Sequence, residues 1–116
     1  MNKKYKLAAI IFLMLIFVPE VFAQNTCRGF IRGDSNNDGK VDISDAIFSL
    51  SYLFSGGHAP TCFDSVDTND DGRIDISDPI FLLNFLFLGG QGIPAPYAKK
   101  GIDLTVDDLS CGNRDE

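Results

Sequence analysis

Carboxylate and amide side chains recur in this chain at a fixed spacing, and the spacing occurs twice. The first copy reads Asp-Ser-Asn-Asn-Asp-Gly-Lys-Val-Asp-Ile-Ser-Asp over residues 34–45, and the second reads Asp-Thr-Asn-Asp-Asp-Gly-Arg-Ile-Asp-Ile-Ser-Asp over residues 67–78. Each copy places oxygen-bearing side chains at positions 1, 3, 5, 9 and 12 and glycine at position 6. Ca²⁺ takes roughly six to eight oxygen ligands. The spacing therefore predicts two calcium sites.

This is the ligand spacing of a 12-residue calcium loop of EF-hand type. Glycine at position 6 permits the positive φ of the sharp turn. Position 7 supplies only its backbone carbonyl, so a basic side chain is compatible there. Aspartate closes the shell at position 12, where most such loops have glutamate. The predicted ligands are Asp34, Asn36, Asp38, Lys40, Asp42 and Asp45 in the first loop, and Asp67, Asn69, Asp71, Arg73, Asp75 and Asp78 in the second.

Other readings of these carboxylates are weaker. An acidic, solvated turn that binds nothing is the simplest alternative, but two complete copies of the pattern by chance are improbable. Zinc is disfavoured because no histidine and cysteine pair stands at ligand spacing, and His58 is the one histidine of the chain. Catalysis is disfavoured because nearly every carboxylate outside the C-terminal tail is already a loop ligand. We therefore expect a protein that is not an enzyme.

The N-terminal segment, residues 1–23, has the pattern of a signal peptide. A basic start with Lys3, Lys4 and Lys6 precedes a continuous apolar run over residues 7–18, which is too short for a typical membrane span. Val21 and Ala23 suit cleavage before Gln24. The alternative is an uncleaved anchor. The segment predicts a secreted, extracellular or cell-envelope protein.

The remaining chain is acidic. The full sequence has 10 basic and 16 acidic residues. The signal segment contains three lysines and one glutamate, so the rest carries seven basic and fifteen acidic residues, a net charge of −8. This balance argues against nucleic acid and against anionic membranes as partners.

Three cysteines, Cys27, Cys62 and Cys111, are an odd number for an exported protein. Three pairings are possible, and each leaves one thiol over. One bridge that involves Cys111 would tie down the tail, but all three could also be reduced. The sequence leaves the connectivity open.

An apolar helical run follows each loop, so we predict an all-α fold. The first helix should begin at Ser44, bury Ile47, Leu50 and Phe54, and end at the glycine pair 56–57. The second should begin at Ser77, bury Ile80, Leu83 and Phe87, and end at the pair 89–90. The two helices should pack on each other. The apolar residues left over, which some partner could cover, are Phe48, Tyr52, Phe81 and Phe85.

The remaining segments divide the chain. Repeat 1 covers about residues 33–57, and repeat 2 covers about residues 66–90. Residues 91–116 form a proline-rich strap, Ile-Pro-Ala-Pro-Tyr at 93–97, and a short tail. Thr105 with Asp108 resembles a capping box, which predicts one helical turn in the tail. Residues 24–116 should therefore be one small domain.

The two loop–helix repeats resemble those of dockerin domains in exported bacterial proteins. The resemblance rests on the doubled loops, the phrases Asp-Ile-Ser-Asp and Phe-Leu-Phe-Leu-Gly-Gly, the strap and the Asp-x-Thr-x-Asp-x-Leu-x-Cys tail. It implies two pseudo-symmetric half EF-hands, each a calcium loop with its exiting helix. It also implies a cohesin-like or other extracellular protein module as partner. The positions that contact the partner would be Ile43, Ser44, Leu50, Ser51, Ser55, Ile76, Ser77, Leu83, Asn84 and Leu88.

Two functions follow as hypotheses. The first is a secreted, calcium-binding interaction module that resembles those assembling polysaccharide-degrading enzymes. The second is a free-standing structural calcium protein of the cell envelope, without a cohesin partner.

Overall fold

A computed structural model describes residues 29–111, in which three helices are joined by long loops. Helix α1 spans Ile43–Phe54, helix α2 spans Phe63–Val66, and helix α3 spans Ser77–Phe87. Residues 29–111 contain no β-strand, only two isolated antiparallel bridges. The domain is therefore small and helical. The predicted signal segment, residues 1–23, and Cys27 lie outside the described residues.

None of the three helices has the length and apolar character needed to span a lipid bilayer.

Helix α3 begins at Ser77 as predicted, whereas α1 does not begin at Ser44. Helix α1 begins one residue earlier, because Asp42 is its N-cap and accepts from the Ser44 backbone N–H at 2.9 Å. In return, Asp45 Oδ2 accepts from the Asp42 N–H at 2.9 Å, which completes a capping box. At α3, Asp75 Oδ1 accepts from the Ser77 N–H at 2.8 Å. The aspartate at loop position 9, rather than the serine, satisfies the first free N–H groups.

The helix ends agree with the prediction. Helices α1 and α3 stop at Phe54 and Phe87, just before the glycine pairs. Gly56 and Gly89 adopt positive φ values of 67° and 62°, which a side chain at Cβ would disfavour. The second glycine of the first pair, Gly57, donates its N–H to Ser51 O at 2.9 Å. This bond turns the chain away from the helix axis.

The core lies between α1, α3 and the strap. Its buried members are Ala46 of α1, Leu82 of α3 and Ile93 of the strap. Partly buried apolar side chains pack around these three: Val41, Phe81, Leu83, Phe85 and Leu86. The strap residue Ile93 thus closes a core that the two helices alone would leave open.

The predicted buried stripes were wrong at four positions. The exposed fractions are 57% for Ile47, 65% for Phe54, 50% for Ile80 and 64% for Phe87. The reason is the last aspartate of each loop, Asp45 or Asp78, which must point into the loop and is itself fully buried. That requirement fixes the rotation of each helix. Ala46, one residue after Asp45, and Leu82, one helical turn after Asp78, therefore face inward.

The aromatic residues predicted to be surplus are in fact half-buried. Phe81 and Phe85 pack against the core cluster. The Phe85 and Tyr97 rings meet edge to face with centroids 5.4 Å apart, and the Tyr52 and Phe63 rings lie 6.2 Å apart. These contacts attach the strap and α2 to the two long helices.

Two further segments differ from the prediction. Helix α2, four residues long, was not foreseen; it follows the linker at Cys62, and Val66 within it is fully buried. The tail forms no helical turn at Thr105. Instead the Thr105 hydroxyl donates to Asp70 Oδ1 at 2.7 Å. The carboxylates at the start of repeat 2 are stronger hydrogen-bond acceptors than the local backbone carbonyls.

Candidate metal centres and an exposed apolar face

The first loop brings three carboxylates together. Ligand oxygens of Asp34, Asp38 and Asp45 lie within 4.8 Å of one another. Backbone N–H groups hold them in place: Asp34 accepts from Asp38 at 3.0 Å and from Gly39 at 2.9 Å. Asp45 Oδ1 accepts from the Asn36 N–H at 3.2 Å. The loop backbone thus orients each acidic side chain toward a common centre.

The second loop repeats this geometry. Ligand oxygens of Asp67, Asp71 and Asp78 lie within 4.8 Å of one another. Asp67 accepts from the N–H groups of Asp71 at 3.1 Å and Gly72 at 2.9 Å. The Asn69 N–H faces the buried Asp78 carboxylate, as the Asn36 N–H faces Asp45 in the first loop.

Burial makes these carboxylates hard to ionise without a cation. Burial raises the pKa of Asp45 to about 6, and the charges of Asp34 and Asp38 add to this. The pKa of Asp78 is raised in the same way, by burial first and then by repulsion from Asp67 and Asp71. Burial also raises the pKa of Asp34 and of Asp67. Three like charges at this distance favour a bound positive charge.

The donor set fits a hard divalent cation. Each loop offers carboxylate oxygens, together with the amide of Asn36 or Asn69, and no sulfur or imidazole. The basic side chains at position 7, Lys40 and Arg73, are exposed. A calcium ion would find in each loop the oxygen ligands it prefers.

The other predicted ligands with oxygen-bearing side chains lie outside the three-carboxylate clusters. Asn36 Oδ1 accepts from the Asp38 N–H at 3.1 Å, while its Nδ2 donates to Ser44 Oγ at 3.1 Å. Asn69 makes the equivalent bond to Ser77 Oγ at 3.1 Å. Asp42 caps α1, and Asp75 accepts from the Ser77 N–H at the start of α3. Both residues stand apart from the three-carboxylate clusters. Hydrogen bonds from Ser44 and Ser77 lower the pKa of Asp42 and of Asp75, respectively.

Sequence reasoning missed Arg32, which is fully buried beside the second loop. Its Nη1 donates to the carbonyls of Asp64 at 3.2 Å and Asp67 at 2.9 Å. Its Nη2 lies 3.1 Å from Asp103 Oδ1 and 3.2 Å from Asp70 Oδ1. Its Nε donates to Ala95 O at 3.1 Å, and its guanidinium lies over the Phe30 ring.

The position of Arg32 connects four segments of the chain: the entrance of repeat 1, helix α2 with the second loop, the strap and the tail. No local pattern in the sequence marks this role, because Arg32 lies two residues before the first loop and its partner Asp103 is 71 residues away.

Cys62 and Cys111 lie where the start of repeat 2 meets the tail. The structure pairs Cys62 with Cys111, whose Cα atoms are 4.0 Å apart and which are 49 residues apart in sequence. Their backbones also form an isolated bridge, and a second bridge joins Phe30 to Gly101. The tail thus lies against the entrance of each repeat.

The residues predicted to contact a partner lie along α1, α3 and the ends of these helices. Ile43, Ser55, Ile76, Asn84 and Leu88 are exposed, whereas Ser44, Leu50, Ser51, Ser77 and Leu83 are half-buried. Leu83 packs on the core, and the Ser44 and Ser77 hydroxyls are within hydrogen-bonding distance of loop side chains.

An exposed apolar face repeats at equivalent positions of the two helices. Ile43, Ile47 and Phe54 mark it in repeat 1, and Ile76, Ile80 and Phe87 mark it 33 residues later in repeat 2. This spacing places each trio on one side of its helix. We call these six residues the apolar face.

A duplicated acidic loop, each with its exiting helix, defines a class of small calcium-dependent interaction modules. The model of the dockerin type I domain matches residues 32–107, most of the 116-residue chain. The chain belongs to the dockerin type I family, whose members bind calcium and act as protein–protein interaction modules. No curated protein and no solved structure matches the chain significantly.

Proposed function

We propose that the chain is a secreted interaction module that binds two Ca²⁺ ions, one in each loop, and is not an enzyme. The observation that carries the proposal is the pair of three-carboxylate clusters, in which the first and last aspartates are buried. Each cluster is followed by a helix whose exposed side is apolar. Ions in the clusters would hold Asp45 and Asp78 in place. Since these residues fix the rotation of α1 and α3, calcium would order the apolar face.

We propose a cohesin-like extracellular module as the partner. Dockerin domains bind cohesin modules. Six exposed large apolar residues on two neighbouring helices are more than a small monomer usually leaves in water, which supports a protein partner over a carbohydrate or a nucleic acid. The link to polysaccharide degradation rests on the family alone.

The two helices present similar but not identical contacts. Ile43 and Ile76 correspond, as do Ser44 and Ser77, but Ser55 corresponds to Leu88. A partner could therefore dock in two orientations related by the internal repeat, with unequal affinity.

Secretion and oxidation belong to the same proposal. The signal segment, residues 1–23, would direct export and be cleaved before Gln24. In an oxidising compartment Cys62 and Cys111 would be joined, which closes a loop of about 50 residues and stabilises the fold by about 4 kcal/mol in the chain-entropy picture.

Binding to a purified type I cohesin, measured by calorimetry in calcium and in EDTA, tests the proposal. We expect binding in calcium and loss of binding in EDTA. The quadruple variant Ile43→Ser, Ile47→Ser, Ile76→Ser and Ile80→Ser should lose binding but keep its calcium-dependent helical signal. The matched control Gln91→Ser, in an exposed loop outside the helices, should bind as the parent does.

The same measurement addresses the second hypothesis, a structural calcium protein of the cell envelope. Two bound calcium ions with no binding to a panel of cohesins, together with self-association in millimolar calcium, would favour that hypothesis. Absence of calcium binding would contradict both hypotheses.

A further inference from the structure

A third cluster of carboxylates lies outside the two loops. Ligand oxygens of Asp64 in α2 and of Asp103 and Asp107 in the tail lie within 4.8 Å of one another. The loop spacing does not create this cluster, because its residues come from segments about 40 positions apart in sequence. The position equivalent to Asp64 in repeat 1 is Ile31, so the repeat itself does not explain the cluster either.

Two oxygens of this cluster are buried without any hydrogen-bond donor. Asp64 is only 4% exposed, and its Oδ1 has no partner. Its Oδ2 lies 3.6 Å from Cys111 Sγ, but a disulfide sulfur has no proton to donate. Asp107 Oδ1 accepts from the Leu109 N–H at 2.8 Å, whereas its Oδ2 is buried and unpartnered. Buried carboxylate oxygens without donors are rare unless something else meets them.

Arg32 does not compensate Asp64. Its Nη2 is bound to Asp103 Oδ1 and Asp70 Oδ1, and it reaches Asp64 only at the backbone carbonyl. Burial raises the pKa of Asp64 to about 6, and repulsion from Asp103 and Asp107 adds to this more than Arg32 offsets. For Asp103 burial acts in the same direction, but hydrogen bonds from Thr105 and the charge of Arg32 outweigh it, and the net pKa is lowered.

The net charge around Arg32, at the start of repeat 2, is therefore negative. Asp64, Asp70, Asp103 and Asp107 face one guanidinium, which leaves three negative charges if all four are ionised. The neighbouring group of Asp67, Asp70 and Asp107 is a poorer candidate. Asp67 already belongs to the second loop cluster, and Asp70 is paired with Arg32.

We propose that Asp64, Asp103 and Asp107 hold a third hard divalent cation, with Ca²⁺ as the probe. Asp64 Oδ1 and Asp107 Oδ2 would be direct ligands, together with Asp103 Oδ2, which lies outside the contacts of Arg32. Water would complete the shell. This ion would join α2 to the tail beside the Cys62–Cys111 pair, and it would share no protein ligand with the two loop sites.

Counting bound calcium per chain by equilibrium dialysis tests the proposal. We expect three ions in the parent chain at about 10 mM free Ca²⁺, above the roughly 10⁻⁴–10⁻³ M range of weak extracellular sites. Asp107→Asn keeps the Oδ1 acceptor and should bind two. Asp108→Asn, the same change one residue away and outside the cluster, should bind three.

The outcomes are separable. A parent chain that binds two ions at saturation overturns the third site and leaves the loops intact. A chain that binds none overturns the loop sites as well. Three ions in the parent and in both variants would place the third ion elsewhere and overturn this assignment.

A folding defect would not leave the question undecided. If Asp107→Asn loses its helical circular dichroism, the count is made on Asp64→Asn, which is isosteric with the parent. As a second measurement, raising calcium from about 1 to about 10 mM should increase the Tm of the parent and of Asp108→Asn more than that of the cluster variant. Equal increases would contradict the proposal.

Discussion

At the scale of single residues, burial decides what each charged group does. Arg73 and Lys40 sit in the loops at position 7, where their side chains are exposed. Arg32 has the same charge type but no exposure, and it makes contacts with four segments. Guanidinium suits this position because it offers five N–H donors in a planar fork.

Arg32→Lys tests this role. Lysine keeps the charge but cannot bond the Asp64, Asp67 and Ala95 carbonyls and the Asp103 carboxylate together. We expect a loss of about 2–5 kcal/mol in the free energy of unfolding, because each buried carbonyl oxygen that loses its donor costs about 1–3 kcal/mol. Urea denaturation in saturating calcium measures it.

The matched control is Arg73→Lys, the same change at an exposed position. It should alter the free energy of unfolding by less than about 0.5 kcal/mol. Similar values for the two variants would show that Arg32 is not a structural centre of the fold.

At the scale of elements, the sequence predicted the loops and the helix ends but not the buried side of the helices. The residues from Asp34 to Asp45 and Gly56 are local signals, and each can be recognised without knowledge of the rest of the chain. Helices α1 and α3 are apolar on more than one side, so helical spacing could not select the inner face. That choice depends on Asp45, Asp78 and the strap residue Ile93, which meet the helices only in the folded chain.

The charged cluster around Arg32 was not predicted from the sequence, for a related reason. Arg32 and Asp103 are 71 residues apart, and no repeat or motif connects them. Short-range patterns carry no information on such a pairing.

Leu82→Ala and Ile80→Ala, two substitutions in one helix, distinguish the observed core from the predicted stripe. Leu82 is fully buried, so its truncation should leave a cavity and cost about 2–5 kcal/mol. Ile80 is half exposed, and its truncation should cost less than about 1 kcal/mol. Thermal unfolding in calcium measures the two variants. If Ile80→Ala proved the more harmful, the rotation of α3 described here would be wrong.

At the scale of the whole molecule, the proposed calcium ions would compete with protons for the same buried carboxylates. In the folded chain without calcium, the pKa of Asp45 is raised from 3.8 to about 6, mainly by burial. The folded state then binds protons more tightly than the unfolded state, so stability falls as pH rises through this range. A bound cation reverses the sign, because it favours the ionised carboxylate.

We therefore expect opposite pH trends in the two conditions. In EDTA, lowering the pH from about 7.5 to about 5 should increase the helical circular dichroism. In saturating calcium, the same change should lower the Tm, since protons displace the ion. A double variant Asp45→Asn and Asp78→Asn should lose most of the trend in EDTA. The same direction of change with and without calcium would contradict this account.

The tail's two backbone bridges, to Phe30 and to Cys62, have a consequence for how the repeats communicate. The same tail segment pairs with the residues that precede each calcium loop, so a movement at the start of one repeat is transmitted to the start of the other. Order gained in one loop should therefore favour order in the other. We expect the two repeats to fold cooperatively, because the tail links their entrances in addition to the direct packing of α1 against α3.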